Sequence, residues 1–351
     1  MLEFNLNFFI FFSLISFLFT YLTTKYSKLF FSGALLDKDF LKPQAFHKKP
    51  VARIGGLIIL FLFSLFVLFY FLVFDKFLKD YFIISLLLFS LGFIDDLKVK
   101  INPNIRLILM LGILVFCINI FSIQITKSGL EFLNLWLENN IFQVCFVLLC
   151  FLFVVNGANL VDGFNGLLAI HLLLINSIFL LINLTNQNND ISIILFSQIL
   201  IVLSFLIFNF PKAKIFLGDS GSYLLGSLIV LNTIKTHELN PQIPPFFFAG
   251  VLFYLFYEVF FSFIRKAFLK KSPLHPDTLH LHMLLYKWVS ASKKKKSSNY
   301  LTSILVNSSY LFLQIPLFYF QNHGLISRYW FFSLIILYTI MYFRLYSFSK
   351  K

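Results

Sequence analysis

The chain predicts an all-α polytopic membrane bundle of about ten to eleven transmembrane helices, with the N-terminus outside and the C-terminus in the cytoplasm. Three observations carry this. Of 351 residues, 59% are hydrophobic and 13% charged, with a mean hydropathy of +0.86, far outside the range of soluble domains. The apolar residues fall into runs close to the roughly 20 residues that a helix needs to span a bilayer core. The alternating short-strand pattern of an outer-membrane barrel is absent, and helix and closed barrel are the two structures that satisfy the backbone in lipid.

Eleven runs are candidates, taken in order. Residues 4 to 24 have Glu3 ahead and Lys25 and Lys28 behind, the reverse of a signal peptide's charge order, so they read as an uncleaved first helix. Residues 52 to 74 are almost unbroken Ile, Leu, Phe and Val; 81 to 95 form a short run that stops at Asp95 and Asp96. Residues 104 to 124 follow Pro103, while 141 to 155 lead into a polar stretch that the run from 164 to 184 leaves. Residues 191 to 209 and the short 222 to 234 flank "FLGDSGS"; 246 to 264, 300 to 320 and 328 to 346 complete the set. Neither an internal repeat nor a soluble domain interrupts them, so residues 1 to 351 read as one integral membrane domain.

Lys and Arg are retained on the cytoplasmic side. With the N-terminus outside, the inner segments hold 24 of the 29 Lys and Arg; the opposite orientation inverts that bias. The net charge of +14 is then a basic cytoplasmic face suited to anionic headgroups and phosphorylated substrates. It does not suit nucleic acid, because the basic residues are spread over several short loops. The run Lys293 to Lys296 reads as a solvated or lipid-facing charge run. Cys117, Cys145 and Cys150 lie in apolar runs without disulfide or zinc spacing and read as core residues.

Nearly all other polar residues sit in five stretches that this topology turns to the cytoplasm: "HKKPVARIGG" (47 to 56), "GFIDDLKVKINP" (92 to 103), "NGANLVDGFNG" (156 to 166), "FLGDSGS" (216 to 222) and "SPLHPDTLHLH" (272 to 282). Adjacent carboxylates at the membrane edge, Asp95 and Asp96, are costly to desolvate unless they meet cations or a metal; they are candidates for binding Mg²⁺ or for orienting an anion through it. Asn156, Asn159, Asp162 and Asn165 are spaced by three, which on an ideal helix drifts by about 60° per step. They share a face only in a broken turn, and Gly157, Gly163 and Gly166 predict one. Amide and carboxylate oxygens suit Mg²⁺, which shares its shell with waters and phosphates; Asn can also simply join membrane helices. Gly218 to Ser222 suit the N-terminus of a helix that begins near Tyr223 and receives an anion or holds a metal ligand, or else a plain helix cap. His275, Asp277, His280 and His282 lack a zinc-like fourth ligand, so phosphate recognition fits them better. His47, Lys48, Lys49 and Arg53 enlarge the same cationic surface.

With these motifs in this order, the sequence resembles the polyprenyl-phosphate N-acetylhexosamine-1-phosphate transferases, glycosyltransferase family 4, which also includes phospho-MurNAc-pentapeptide translocase. The resemblance runs from about residue 43 to 284, with C-terminal helices at about 300 to 346 beyond it. It implies transfer of a sugar 1-phosphate from a UDP-sugar to polyprenyl phosphate, giving a polyprenyl diphosphate sugar and UMP, with Mg²⁺ or Mn²⁺ required. Carried onto matching positions, Asp219 and Asn159 are expected as metal ligands and Asp95 with Asp96 as the pair beside the lipid phosphate. Asp219, Asp95 and Asp96 are thus the catalytic set. Asp162, Asn156 and Asn165 are expected around the nucleotide, His280 and His282 at the donor's diphosphate, and Lys48 and Arg53 in the substrate-binding surface. The expected partners are the membrane, polyprenyl phosphate and a UDP-N-acetylhexosamine, without nucleic acid, and a homodimer is compatible with the sequence. The expected location is the cytoplasmic membrane with the active site on its inner face.

The motifs depart from the family pattern at two places. Thr278 stands where UDP-GlcNAc enzymes often have Arg, and Met283 where they have a second adjacent His; the translocase's continuous histidine triplet is also missing. UDP-GlcNAc or a modified N-acetylhexosamine, destined for O-antigen, capsule or another surface glycan, is therefore expected rather than the pentapeptide donor of peptidoglycan synthesis. The competing reading of another class is a transporter with polar midplane residues on discontinuous helices; against it, the charged motifs cluster at one face and no repeat pairs them.

Overall fold

The computed structural model describes residues 2–29, 33–37, 50–99, 101–270, 272, 277–291 and 297–350. His47, Lys48, Lys49 and His275 lie outside the described residues. The helices are α1 (Leu2–Lys25), α2 (Gly55–Phe74), α3 (Lys79–Asp96), α4 (Pro103–Ile120), α5 (Glu131–Leu137), α6 (Asn140–Val161) and α7 (Leu167–Thr185). They continue with α8 (Asn189–Asn209), α9 (Gly218–Leu239), α10 (Pro245–Val251), α11 (Phe253–Phe268), α12 (Leu281–Ala291), α13 (Ser298–Tyr319) and α14 (Gly324–Lys350). Two short strands, β1 (Leu36–Asp37) and β2 (Val51–Ala52), pair antiparallel.

All eleven apolar runs fall on helices. Among the described residues eight of these helices are long and apolar enough to cross a membrane, and α10 with α11, bent by 75°, makes a ninth crossing if counted as one. The remaining two runs are α3 and α9. Their composition is diluted by polar residues: α3 carries Lys79, Asp80, Asp95 and Asp96, and α9 opens on Gly-Asp-Ser-Gly-Ser.

Helix α9 is the hub, buried along most of its length and packed by α2, α3, α6 and α7. Lipid provides no hydrophobic force between helices, so close backbone approach and interhelical hydrogen bonds hold them instead. Both are present. Gly92 on α3 lies against the start of α9, where an added Cβ would stand 2.5 Å from the Asp219 carbonyl oxygen. Deeper in, the buried amides of Asn176, Gln198 and Asn232 bond α7, α8 and α9 together, Asn232 Nδ2 donating to Asn176 Oδ1 at 3.0 Å and Gln198 Oε1 at 2.7 Å. Gly92→Ala is expected to cost roughly 1–3 kcal/mol as overpacking and to lower turnover as Asp219 shifts; thermal unfolding and activity of the purified variant check it.

The strands tie one end of α2 to the start of α9. Ala52 bridges Ile215, the Phe216 amide donates to the Ala52 carbonyl at 2.8 Å, and the Gly55 and Gly56 amides donate to the Phe216 and Leu217 carbonyls at 2.9 Å each. Two local expectations are corrected. The helix before the polar stretch is unbroken through Gly157 to Val161 and ends only there, with Gly166 in the left-handed region at φ 73° opening α7. Gly157 serves packing: its missing side chain leaves room for the Leu255 backbone. Helix α9 starts at Gly218 rather than near Tyr223, because its first turn receives an acceptor from α3, and this places Asp219 inside that turn.

Candidate active site

The ends of α2, α3, α4, α6 and α9 meet at the motif-bearing end of the bundle. The last residue of α3, Asp96, is 1% exposed. Its Oδ1 accepts from the Asp219 amide at 3.0 Å, and its Oδ2 from the Ser220 amide at 3.0 Å and the Ser220 hydroxyl at 2.6 Å. Amides in the first turn of a helix have no intrahelical acceptor and carry a positive partial charge; Asp96 supplies both acceptor and countercharge from a neighbouring helix. Gly218, at φ +80°, makes this closure possible, since a Cβ there would stand 2.5 Å from Asp96 Oδ2. Asp96 thereby fixes where the side chain of Asp219 stands.

Asp95 points elsewhere. It ion-pairs with Arg106, from the first turn of α4, and the same Arg106 nitrogen lies 3.6 Å from Asp219 Oδ2. Arg53, just before α2, donates to Asp37 Oδ2 through Nη2 at 2.7 Å and Nε at 3.1 Å, and its Nη1 is 3.7 Å from Asp96 Oδ1. Two arginines thus thread a group of aspartates drawn from β1, α3 and α9.

Helix α6 brings Asn159 against this group: Asn159 Nδ2 donates to Ser222 Oγ at 3.0 Å, and that hydroxyl donates to the Asp219 carbonyl at 3.0 Å. Asn159 Oδ1 accepts from no described residue. Asp162, the residue that ends α6, also makes no side-chain hydrogen bond to a described residue. Burial, then the Asp219 charge, push its carboxyl up to about 8, with Asp96 adding to the shift and Arg53 opposing it. The other two members of the spacing-of-three series diverge, Asn156 by drift along α6 and Asn165 because it lies in the turn beyond the helix. Asn156 Nδ2 donates to the Leu152 carbonyl at 2.8 Å and contacts Met110 on α4. Asn165 bridges the Pro211 carbonyl and Asn299 at 2.9 Å each, pinning the turn before α7.

The histidine arm folds back along α11. Arg265 pairs with Asp277 at 2.9 Å, Glu258 accepts from His280 Nδ1 at 3.0 Å, and the Tyr254 hydroxyl meets His282 Nδ1 at 3.1 Å. His280 Nε2 faces Asp277 Oδ1 at 3.3 Å, so both of its ring nitrogens are taken up by carboxylates of the protein. His282 is fully buried, its ring parallel to that of His280 at 5.6 Å. Its Nε2 has no partner among the described residues and lies beside Gly163, 3.8 Å from where a Cβ would sit. Burial, reinforced by the His280 charge against the pull of Glu258, lowers the His282 ring to about 4.

The structure therefore brings Asp95, Asp96, Asn159, Asp162, Asp219 and Arg53 to one place, with His282 at the Asp162–Gly163 turn, while Asn156 faces α4 and the Asn165 side chain bonds the Pro211 carbonyl between α8 and α9. Sequence reading passed over Arg106, counted only as an inner-face charge; an Arg in a first helical turn shortly after Asp-Asp was the available signal. It also passed over Tyr254 and Glu258, polar groups set four apart in an apolar run, and Asp37.

Acidic, amide and guanidinium groups are thus gathered at one end of an all-α polytopic membrane bundle. Its family is specific: the sequence pattern described as Glycosyl transferase family 4 matches residues 80–237. Among curated relatives, the undecaprenyl-phosphate alpha-N-acetylglucosaminyl 1-phosphate transferase of Thermotoga maritima is 30% identical, covering 67% of this chain and 68% of that protein. The phospho-N-acetylmuramoyl-pentapeptide-transferase of Dictyoglomus turgidum is 30% identical over 81% of this chain and 91% of that protein. The enzyme of the same name from Clostridioides difficile is 28% identical over 53% and 62%. The chain belongs to glycosyl transferase family 4.

Proposed function

We propose that this protein transfers an N-acetylhexosamine 1-phosphate from a UDP-sugar to polyprenyl phosphate at the cytoplasmic face of the membrane. An oxygen of the lipid phosphate attacks the sugar-bearing phosphorus of the donor; the bond from that phosphorus to the bridging oxygen breaks, and UMP leaves with the electron pair. Such transfers depend on positioning and charge neutralisation more than on covalent help from the protein. The observation that supports the reading best is the Arg53–Asp96–Asp219–Arg106–Asp95 chain at the shared end of α3, α4 and α9.

Mg²⁺ fits this donor set. Among the described residues no three of His, Cys, Asp and Glu group into a metal cage, but Mg²⁺ is commonly held by one or two carboxylates with waters and substrate phosphates completing its shell. The Asp219 side chain is 28% exposed, the Asp162 carboxyl and Asn159 Oδ1 are free of donors from described residues, and all three are hard oxygen groups. Asp219 and Asn159 are the proposed ligands, with Asp162 alongside. When bound, the ion would neutralise charge on the transferring phosphoryl group. Arg106 and Arg53 would supply the fixed positive charge. Asp95 would orient the lipid phosphate, which is ionised near neutral pH and needs no strong base. His282 Nε2 would meet the donor's diphosphate from the Asp162–Gly163 side.

The donor reading rests on the first of the relatives named above and on the separation of His280 from His282, which breaks the pentapeptide translocases' triplet. Detergent-purified protein with undecaprenyl phosphate, Mg²⁺ and a panel of UDP-N-acetylhexosamines, including UDP-MurNAc-pentapeptide, tests it through UMP release. UMP is expected only when lipid and metal are both present, with UDP-GlcNAc or a modified UDP-N-acetylhexosamine as donor. The absence of lipid-dependent UMP from every donor would sink the proposal.

A further inference from the structure

The segment from Asp277 to His282 is laid antiparallel along one face of α11. Tyr254, Glu258 and Arg265 recur at helical spacing on that face and meet His282, His280 and Asp277 in reverse order. Glu258 is the centre of this arrangement. It is 1% exposed, and besides His280 its Oε1 accepts from the Leu281 amide at 3.1 Å, the first residue of α12. A buried carboxylate from one helix thus caps the start of the next, as Asp96 does for α9. The other oxygen, Oε2, accepts from the Tyr338 hydroxyl at 2.7 Å.

Tyr338 belongs to α14, beyond the matched residues 80–237. One turn further along α14, Tyr342 places its ring 6.0 Å from the Arg265 guanidinium, a cation–π distance. Two successive turns of α14 therefore back the two α11 side chains that hold the histidine arm. A buried carboxylate costs free energy unless its lone pairs are satisfied, and among the described residues every donor to Glu258 comes from the arm or from α14. The arrangement serves neither lipid contact nor packing alone, because Phe at 338 would fill the same space without the hydroxyl.

We propose that Glu258 and Tyr338 are positioning residues for donor binding: the pair clamps the His280 ring and the start of α12, and so sets where His282 Nε2 stands beside the Asp162–Gly163 turn. The C-terminal helix is by this route part of the donor site. The inference rests on the transferase reading above, and it separates donor from acceptor, since the acidic cluster at α3, α4 and α9 is untouched by the pair.

The test is steady-state kinetics of UMP release by the full chain with varied UDP-GlcNAc (or the donor found active in the panel) and varied undecaprenyl phosphate, for Tyr338→Phe, Glu258→Gln and the wild type. Loss of the hydrogen bond that holds the buried Glu258 carboxylate is expected to raise the donor KM about tenfold in Tyr338→Phe, with the acceptor KM within twofold of wild type. Glu258→Gln, which keeps an acceptor for the Leu281 amide but loses the charge facing His280, is expected to show the larger rise. Both KM values unchanged, both raised alike, or a fall in kcat alone would overturn the inference, the last marking a purely structural role. If Glu258→Gln does not fold, Tyr338→Phe decides, since it removes one oxygen atom. A wild-type protein that releases no lipid-dependent UMP sinks the transferase reading instead.

Discussion

Asp219→Asn is expected to abolish turnover while leaving the protein inserted and folded. The backbone of residue 219 is held independently of its side chain: its amide donates to Asp96 at 3.0 Å and its carbonyl accepts from Ser222 at 3.0 Å. Asn has nearly the same shape as Asp, so these bonds survive. The change removes one negative charge, 3.6 Å from Arg106, at the carboxylate proposed to hold Mg²⁺. Removing one preorganised electrostatic group from a reacting centre costs on the order of 10²–10³ in rate, and loss of a proposed metal ligand should reach the upper end or beyond. Membrane yield and thermal unfolding should match the wild type while UMP release falls to background. Turnover within tenfold of the wild type would remove Asp219 from the metal site.

What the sequence made legible follows from what leaves a one-dimensional trace. Apolar runs are local, so each of the eleven falls on a helix, and the family resemblance is supported by the comparisons. Helix ends were misjudged where a distant residue decides them. Gly157 looked like a break because glycine weakens helices, yet its role is set by Leu255, almost a hundred residues on. Gly-Asp-Ser-Gly-Ser reads as the lead-in to a helix beginning near Tyr223 because it is a poor helical sequence, and the Asp96 carboxylate from α3 makes that turn favourable as helix. The spacing of three from Asn156 to Asn165 suggested a common face, but drift along an intact helix carries Asn156 to α4 and Asn159 to α9. Arg106 and Glu258 escaped notice for a related reason: each is an isolated charge near or within an apolar run, and its meaning lies in partners on other helices.

The same logic separates the two adjacent aspartates, which sequence reading treats as one pair. Asp96→Asn is expected to destabilise the fold, and Asp95→Asn to spare it. In Asp96→Asn an amide nitrogen replaces one of the oxygens that face the Asp219 and Ser220 donors, and the countercharge opposite Arg53 is lost. Taking a charged acceptor away from buried donors costs about 1.5–3 kcal/mol per bond, a large part of a typical folding free energy when several are lost, so thermal unfolding should fall by many degrees and activity with it. Ser220→Ala, losing only the 2.6 Å hydroxyl bond to the same carboxylate, should give a smaller drop of about 1–2 kcal/mol. Asp95 is 16% exposed in its side chain and bonded to Arg106, which keeps Asp219 as a second partner; its neutralisation should leave unfolding within a few degrees of wild type while turnover falls about 10²-fold through the misplaced guanidinium. Unfolding profiles and UMP release on the three variants decide the matter. An Asp96→Asn protein as stable as the wild type but inactive would move Asp96 from the cap of α9 into the chemistry, and an Asp95→Asn protein with normal turnover would leave the lipid phosphate without its proposed neighbour.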